Sequence, residues 1–345
     1  MLIYFTDFNM QESLILGILV LGVICALGLV CIYASSRNKK NYKKVGTVSK
    51  LYVRPVKSMS AIEVQEGELT DSGFLCCGVY DKSFVVVDEN DHFVTARRCP
   101  KMILIKPSFS DDNDFLILSA EGQNDIRIPL QQNGPGIPGR VKEIDEEGRD
   151  CGDDIAKWLS DYLDGTYRLV FFSTGLLGKQ LPKNVSSEKF GRHKSQAVFQ
   201  YCGTFNLLSE ASVEDLNSRL EEKVPEKNFR PNIYVRGCPP YAEDFWKYVK
   251  VGEKAEMVFT HFCGRCSLIN LDQSTGKYKS LEPLKTLREY RQVYDFVEDP
   301  HRQIYASKPI FGTFLDLETR GMVKVGDPVF ATFQFQEYTV HAAQN

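Results

Sequence analysis

The first strong pattern along the chain is an apolar run from Leu14 to Ala34 that contains no charged residue. As a helix rising about 1.5 Å per residue, this run would span the ~30 Å hydrocarbon core of a bilayer. A cleaved signal peptide is the alternative interpretation. Such a peptide begins with basic residues and has a shorter apolar stretch, whereas Asp7 and Glu12 precede this run. The pattern therefore predicts a single N-terminal membrane anchor.

Basic residues follow the apolar run directly. They are Arg37, Lys39, Lys40, Lys43 and Lys44. A positively charged flank stays on the cytosolic side of a membrane. We therefore expect nearly the whole chain, which lies C-terminal to the anchor, to face the cytosol.

From Val48 onward the pattern changes to short runs rich in β-branched and aromatic residues, separated by turn signals. The runs that predict strands are Val48–Pro55, Phe84–Asp88, Ile103–Lys106, Phe115–Leu118, Asn232–Arg236, Ala255–Phe259, Ser267–Leu271 and Val329–Phe335. Helical spacing appears instead at Ile155–Leu163, at Ala211–Leu220 with Ser209 as its N-cap, and at about Leu284–Arg291. The pattern predicts an α+β fold in which barrel-like β-structure dominates.

A polar stretch from Lys179 to Lys194 indicates a connection between two β-rich domains. The predicted organisation is an N-terminal tail at 1–13, the anchor at 14–34, a basic linker at 35–47, an N-terminal β-barrel domain at 48–185 and a second β-barrel domain at 186–335. The chain length of 345 residues is compatible with two domains of this size.

The amino-acid composition is typical of a globular protein. Hydrophobic residues make up 43% and charged residues 25% of the chain, and the formal net charge is −3. Because there is no basic excess, we expect no nucleic-acid partner. The ten cysteines show no regular framework of spacings, which is typical of reduced thiols in a cytosol-like compartment.

The strongest chemical signal is the segment Cys263-Gly264-Arg265-Cys266. A zinc site would need a second pair of ligands, and the adjacent Cys76-Cys77 and the scattered histidines supply no convincing one. A thioredoxin-type dithiol should precede a helix, whereas the sequence after Cys266 predicts a strand. A single thiolate that holds a soft metal, with Arg265 stabilising the anion, is the third interpretation, and two ordinary half-buried cysteines are the fourth.

Three other stretches are suited to binding an anionic, phosphate-bearing ligand. They are Pro55-Val56-Lys57-Ser58, Thr95-Ala96-Arg97-Arg98 and Asn228-Phe229-Arg230-Pro231-Asn232. Arginine can bind phosphate through two hydrogen bonds, and asparagine can recognise the edge of a heterocycle. Each stretch taken singly is also compatible with solvated surface charge.

Taken together, these motifs resemble the MOSC family and, within it, the membrane-anchored mitochondrial amidoxime-reducing components. Further motifs that carry the resemblance are Val94-Thr95-Ala96-Arg97, Glu147-Gly148-Arg149-Asp150-Cys151-Gly152, Leu208-Ser209-Glu210-Ala211-Ser212, Arg265-Cys266, Glu282-Pro283-Leu284 and Lys324-Val325-Gly326-Asp327-Pro328-Val329. The resemblance runs from about Val48 to Phe330, and the N-terminal anchor fits it as well.

The resemblance implies a molybdenum cofactor, a pterin dithiolene with a terminal phosphate. It implies Cys266 as the metal ligand and catalytic residue, with Cys263 as a bystander. The cofactor-binding residues that it implies are Lys57, Ser58, Lys82, Arg97, Arg230, Asn232, Gly264 and Arg265. At Lys82 relatives carry arginine, so the two-point grip on an anion is lost here.

The resemblance further implies reduction of small N-hydroxylated substrates such as amidoximes and hydroxylamines. Electrons would come from cytochrome b5 and NADH-cytochrome b5 reductase, and the anchor would lie in the mitochondrial outer membrane. Two departures concern the substrate side. Tyr201-Cys202-Gly203-Thr204 stands where relatives read Asp-Thr-Ser-Pro, and Phe314 stands where a relative has tyrosine.

Two other functions are compatible with the sequence. MOSC domains also occur in pyridoxal-phosphate-dependent molybdenum-cofactor sulfurases, so this chain could be a cofactor or sulfur carrier that does not turn over substrate. A tethered β-barrel adaptor without cofactor is the third possibility, although it leaves Lys57, Arg230 and Arg265 without a role.

Overall fold

The structure is a computed structural model that describes residues 40–131, 136–141, 144–172, 204–292 and 308–333. Its strands are β1 Lys43–Val53, β2 Ile62–Val64, β3 Glu66–Thr70, β4 Gly73–Cys76, β5 Val79–Tyr80, β6 Phe84–Asp88, β7 Phe93–Val94, β8 Lys106–Phe109, β9 Phe115–Ser119, β10 Ile126–Pro129, β11 Gly136–Val141, β12 Ile144–Asp150, β13 Tyr167–Phe171, β14 Phe205–Ser209, β15 Ile233–Arg236, β16 Trp246–Val251, β17 Ala255–Gly264, β18 Ile310–Thr319, β19 Gly321–Lys324 and β20 Pro328–Phe333. Its α-helices are α1 Asp153–Leu163, α2 Glu210–Ser218 and α3 Leu284–Tyr290. Short 3-10 helices cover Pro100–Leu104, Glu226–Phe229, Ala242–Phe245 and Ser267–Asn270.

Seven strands close into a barrel in the order β15, β14, β18, β17, β16, β20 and β1, and β1 pairs back onto β15. The β14–β15 pair is parallel, and the other pairs around the barrel are antiparallel. Closure gives each barrel strand two neighbours and so removes the exposed edges of an open sheet. Inward-facing side chains such as Val48, Leu207, Ile233, Val249 and Ala331 fill the interior. The β-dominant α+β fold that the sequence predicts is confirmed.

The remaining strands form three further sheets. Strands β11, β12, β13, β6 and β7 form one, β19, β3, β4 and β5 another, and β10, β9 and β8 the third. Helix α1 buries Ile155 and Leu159 in a cluster with Val86 and Leu169, which belong to β6 and β13. Alternation of buried and exposed positions is weak in β6, where every residue is buried.

Two of the predicted strands are wrong. Ile103–Lys106 overlaps the 3-10 helix Pro100–Leu104, which a proline begins by fixing φ at the first position. Ser267–Leu271 is largely the 3-10 helix Ser267–Asn270, in which Ile269 is buried beside residues of α3. Short apolar runs do not distinguish a strand from a buried helical turn, and tertiary packing decided both cases.

The predicted helices are confirmed, with small differences at their ends. Ser209 is the N-cap of α2, and its side chain accepts a hydrogen bond of 3.1 Å from the Ser212 N–H. This bond satisfies one of the free N–H groups of the first turn. Helix α2 ends at Ser218 rather than Leu220, and α3 ends at Tyr290.

The structure begins to describe the chain just beyond the predicted anchor. Strand β1 begins at Lys43, earlier than the predicted start at Val48. The apolar run Leu14–Ala34 and the predicted domain boundary at Lys179–Lys194 lie outside the described residues. Among the helices that the structure does describe, none has both the length and the apolar character needed to cross a membrane.

Candidate cofactor-binding site

The loop after β1 carries the first group of candidate residues and is held by backbone hydrogen bonds. The Arg54 N–H donates to Asp81 Oδ1 over 2.7 Å, and the Lys82 N–H donates to the Arg54 carbonyl over 2.7 Å. Two residues past Pro55, the Lys57 N–H donates to the Phe84 carbonyl over 2.8 Å. These bonds bring the predicted segments around Lys57 and Lys82 together.

A cluster of cationic side chains forms where this loop meets the residues after the 3-10 helix Glu226–Phe229. Lys82 Nζ lies 2.6 Å from Asp81 Oδ2, and Arg54 Nη1 donates to the Pro231 carbonyl over 2.8 Å. Arg230 Nη2 donates to the Met59 carbonyl over 3.3 Å. Arg54 is only 2% exposed, and its Nη2 has no hydrogen-bond partner among the described residues. That nitrogen is a buried donor that lacks an acceptor in this part of the chain.

Burial in this cluster disfavours the charged forms of its cations. It lowers the pKa of Arg54 to about 9 and that of Arg230 to about 10, and repulsion from Arg230 lowers the pKa of Arg54 further. Burial also lowers the pKa of Lys82, although attraction to Asp81 opposes this change. For Asp81, by contrast, the charged form is favoured. Burial alone would raise its pKa, but Lys82 and Arg54 hold that pKa below its usual value. A bound anion would relieve the excess of buried positive charge.

Several of these residues have unusual backbone conformations. Ser58, Lys82 and Arg230 have left-handed φ values of 75°, 66° and 55°. For residues other than glycine this conformation costs roughly 1–2 kcal/mol each. Such strain persists only where the surrounding structure imposes it, and it clusters at ligand-binding sites. All three residues had been selected from the sequence as cofactor ligands.

Arg265 joins the cation cluster to the cysteine segment. Its Nη1 donates to the Phe229 carbonyl over 2.6 Å, and its Nε donates to the Phe311 carbonyl over 2.7 Å. The side chain is buried, and burial lowers its pKa, while negative charge on Cys263 or Cys266 would raise that pKa. A Cβ at Gly312 would lie 3.3 Å from Arg265 Nη2, so glycine there leaves room for the guanidinium group.

The two thiols of the Cys263–Cys266 segment differ in environment. Cys263 is buried in β17, whereas Cys266 is half-buried at the start of the 3-10 helix Ser267–Asn270. Tyr278 interacts electrostatically with Cys266 and with the exposed Arg97. Burial and the Cys266 sulfur raise the pKa of Tyr278, and Arg97 lowers it. Cys266 is therefore the more accessible thiol, and it shares a neighbouring phenol with one of the predicted cations.

Asn232 and Gly264 take part in the architecture around the site. The Asn232 side chain accepts a hydrogen bond of 3.1 Å from the Asn206 N–H and donates one of 3.3 Å to the Tyr52 carbonyl. Gly264 ends β17 and pairs with Ile310. The amide of Asn232 thus bridges β14 and β1 beneath the cation cluster. Its role as a direct ligand stays a prediction.

The chain matches two domain families over most of its length. Residues 45–166 match the MOSC N-terminal beta barrel domain, and residues 194–330 match the MOSC domain. The protein belongs to the MOSC family. Curated MOSC relatives include mitochondrial amidoxime reducing component 2 of Rattus norvegicus and mitochondrial amidoxime-reducing component 1 of Homo sapiens. Each is 38% identical to this chain, over 91% of this chain and 92% of the relative. The component 1 of Danio rerio is 31% identical, over 89% of this chain and 91% of the relative.

Two of the departures from the MOSC relatives noted in the sequence, Thr204 and Phe314, lie beside β14 and in β18. Thr204 is fully buried, and its Oγ1 donates to Asp316 Oδ1 over 2.8 Å. Phe314 stacks on His261 with ring centroids 4.9 Å apart. Residues 201–203 lie outside the described residues. Thr204 is thus held by a hydrogen bond within the protein, and Phe314 is held by packing against an aromatic ring.

Sequence reasoning did not select two residues of the candidate site, Arg54 and Asp81. Both lie directly before residues that had been selected, since Arg54 precedes Pro55 and Asp81 precedes Lys82. The sequence Asp81-Lys82 did contain a signal. If Asp81 neutralises Lys82, which was selected to bind an anion, then a second cation is needed nearby to bind that anion.

Proposed function

We propose that this MOSC protein is a molybdenum-cofactor-dependent reductase of small N-hydroxylated compounds such as amidoximes and hydroxylamines. The observation that carries the proposal is the unpartnered Nη2 of buried Arg54, set among Lys82, Arg230 and Arg265. Arg265 directly precedes the accessible thiol of Cys266. The names of the relatives support the substrate class.

The donor set fits the cofactor that the family implies. A phosphate-bearing pterin needs buried cationic donors at one end, and a thiophilic metal needs a thiolate at the other. Arg54, Lys82 and Arg230, with Lys57 and Ser58 on the same loop, would hold the phosphate and the pterin. Cys266 would ligate the metal. When bound, the cofactor supplies two-electron redox chemistry.

The chain's own residues would position the metal-binding cysteine, stabilise its negative charge and donate a hydrogen bond to the substrate. Arg265 fixes the end of β17 through the Phe229 and Phe311 carbonyls, and its charge interacts favourably with an anionic sulfur at Cys266. Reduction of an N–OH group to N–H with release of water consumes two electrons and two protons. The phenol of Tyr278 is protonated at neutral pH, as an ordinary tyrosine is, and burial raises its pKa further. Its O–H would therefore be able to donate a hydrogen bond to the departing oxygen.

We also propose a cellular location and an electron source for the enzyme. We place it in the mitochondrial outer membrane, anchored by the apolar run 14–34 with its body in the cytosol, where cytochrome b5 and NADH-cytochrome b5 reductase would supply electrons. The apolar run and its basic flank support the anchoring, and the names of the relatives support the organelle.

A pair of matched cysteine variants tests the function. Cys266→Ser should abolish reduction of benzamidoxime by the full chain with cytochrome b5, its reductase and NADH, because a hydroxyl is a poor ligand for a soft metal. Cys263→Ser should keep activity within a few-fold of the parent and should bind molybdenum normally. Metal analysis of each purified variant accompanies the assay.

Three results would count against the proposal in different ways. Equal activity in Cys266→Ser and an active parent would remove Cys266 from the mechanism. Equal loss in both variants, together with zinc in the parent, would favour a zinc site. Molybdenum in a parent that turns over no N-hydroxylated substrate would favour the carrier function.

A further inference from the structure

The two adjacent cysteines in the hairpin of β4 and β5 lie outside the cofactor site. Strand β4 ends at Cys76 and β5 begins at Val79, so Cys77 and Gly78 form a two-residue turn with φ values of 50° and 75°. Turns of this kind strongly favour Asn-Gly or Gly-Gly, because both central residues must be left-handed. A cysteine at the first position is therefore strained.

This turn brings the two thiols together. In a regular strand, successive side chains point to opposite faces of the sheet. Here the Sγ atoms of Cys76 and Cys77 are 3.7 Å apart, and Cys76 Sγ lies 3.6 Å from the Glu66 carbonyl oxygen. Cys76 is buried and Cys77 is half-buried, so the pair can be reached from the Cys77 side.

The sulfur separation indicates what the pair can bind. A disulfide joins sulfurs about 2.05 Å apart and usually has Cα atoms at least ~4.4 Å apart, whereas adjacent Cα atoms are only ~3.8 Å apart, so a disulfide here would be strained. A centre bound by two thiolates at about 2.3 Å would hold the sulfurs ~3.4–3.8 Å apart, the lower value for the pyramidal angle of trivalent arsenic and the upper for a tetrahedral angle. The observed 3.7 Å matches chelation and not a disulfide.

We propose that Cys76 and Cys77 form a chelating dithiol site for a thiophilic centre, of the class represented by trivalent arsenicals. With an aryl arsenoxide, two As–S bonds form and the bonds between arsenic and its oxide oxygen break. The oxygen leaves as water with the two thiol protons. Arsenic stays trivalent and no electrons are transferred, so no further reactant is needed.

Capture of phenylarsine oxide tests the site. The reduced full chain is treated with the arsenical, washed with excess 2-mercaptoethanol and weighed by intact-mass spectrometry. The parent should keep one phenylarsenic group per chain and should release it to the dithiol dimercaprol. Cys76→Ser and Cys77→Ser should each retain the group about 100-fold less strongly, because the second thiol no longer acts at high effective concentration. Cys151→Ser, which removes a half-buried lone thiol, should behave as the parent.

A further variant separates chelation from folding. Cys77→Gly suits the left-handed turn and should keep or raise the melting temperature while removing one thiol. It should lose capture as Cys77→Ser does. Retention of the arsenical against monothiol in Cys77→Gly and Cys76→Ser, or its release from the parent by monothiol alone, would overturn the proposal. None of these readouts depends on the reductase function.

Discussion

At the scale of single residues, the site is defined by charges that the fold keeps away from water without fully pairing them. Arg54 is the clearest case, because one of its guanidinium nitrogens donates to Pro231 while Nη2 has no hydrogen-bond partner in the described part of the chain. A buried donor without an acceptor destabilises the protein by roughly 1–3 kcal/mol. An anion that accepts from Nη2 should recover part of this energy.

The cofactor-free protein should therefore be stabilised by inorganic pyrophosphate. Saturating pyrophosphate should raise its melting temperature by a few degrees, since it binds only the folded state. Arg54→Met should abolish most of that shift. Arg98→Met is the control, because Arg98 is 61% exposed and pairs with Asp88 away from the cluster. Equal shifts in the two variants, measured by differential scanning fluorimetry, would contradict the assignment.

A second buried residue, Glu243, should make the stability of the protein depend on pH. Glu243 is 1% exposed, and its Oε1 accepts from Ser212 Oγ over 2.8 Å and from the Ser209 N–H over 3.2 Å. Burial, together with the neighbouring Asp244, raises the pKa of Glu243 to about 7 from its ordinary 4.5. Between these values the folded state binds more protons than the unfolded state, so stability falls as pH rises.

Comparison with a neutral variant should isolate this effect. Glu243→Gln keeps an acceptor for Ser209 and Ser212 and removes the titration. The difference in free energy of unfolding, parent minus variant, should decrease as pH rises from about 4.5 to about 7. Urea denaturation at several pH values measures it. A difference that stays constant over this range would show that Glu243 does not titrate there.

At the scale of elements, the helical turn after Cys266 is tied to the start of α3. Asn270 Nδ2 donates to the Leu281 carbonyl over 2.8 Å, and its Oδ1 accepts from the Leu284 N–H over 3.1 Å. The side chain is buried, so both partners would lose their hydrogen bonds together if it were removed. The position of the cysteine segment thus depends on a helix that follows it in the chain.

Asn270→Ala should therefore lower the free energy of unfolding by about 1–3 kcal/mol. Urea denaturation followed by circular dichroism measures the change. Asn90→Ala, on an exposed turn, should stay within about 0.5 kcal/mol of the parent. Similar values for both variants would mean that Asn270 does not hold α3.

The elements also show what could be predicted from sequence. Helix α2 was predictable because Ser209 caps its own helix locally. The turn Ser267–Asn270 was not, because its conformation depends on Asn270 binding residues beyond the turn. The site followed the same rule. Motif residues such as Arg230 and Cys266 could be selected from the sequence, whereas Arg54 became visible only when its unpartnered nitrogen was seen in the fold.

At the scale of the whole molecule, the barrel depends on the first described strand. Residues Lys43 and Lys44 of β1 pair with Ala331 and Phe330 of β20, and Leu51 pairs with Ile233 of β15. Strand β1 thus lies between a strand from the middle of the chain and the last described strand. Without β1 the barrel would be an open sheet with two exposed edges.

Two N-terminal deletions should separate the anchor from the barrel. Removal of residues 1–40 should give a protein that folds and stays in solution without detergent, since β1 starts at Lys43. Removal of residues 1–47 also takes away the pairing of β1 with β20 and should give an unstable or aggregated product. Size-exclusion chromatography and thermal denaturation compare them. Equal stability of both products would show that this pairing is dispensable.

The closure of the barrel by β1 also sets an order in time. During synthesis β1 leaves the ribosome before the other described strands, and it can pair with β15 only after Arg236 has emerged. Residues 51–53 can pair with the nearby β2, but residues 43–47 must await β20, which ends at Phe333. At about 5–20 residues per second, that wait is roughly 15–60 s. Throughout this interval the nascent protein has a strand with an unpaired edge, so its time of greatest risk of aggregation is fixed by the distance in sequence between two neighbouring strands.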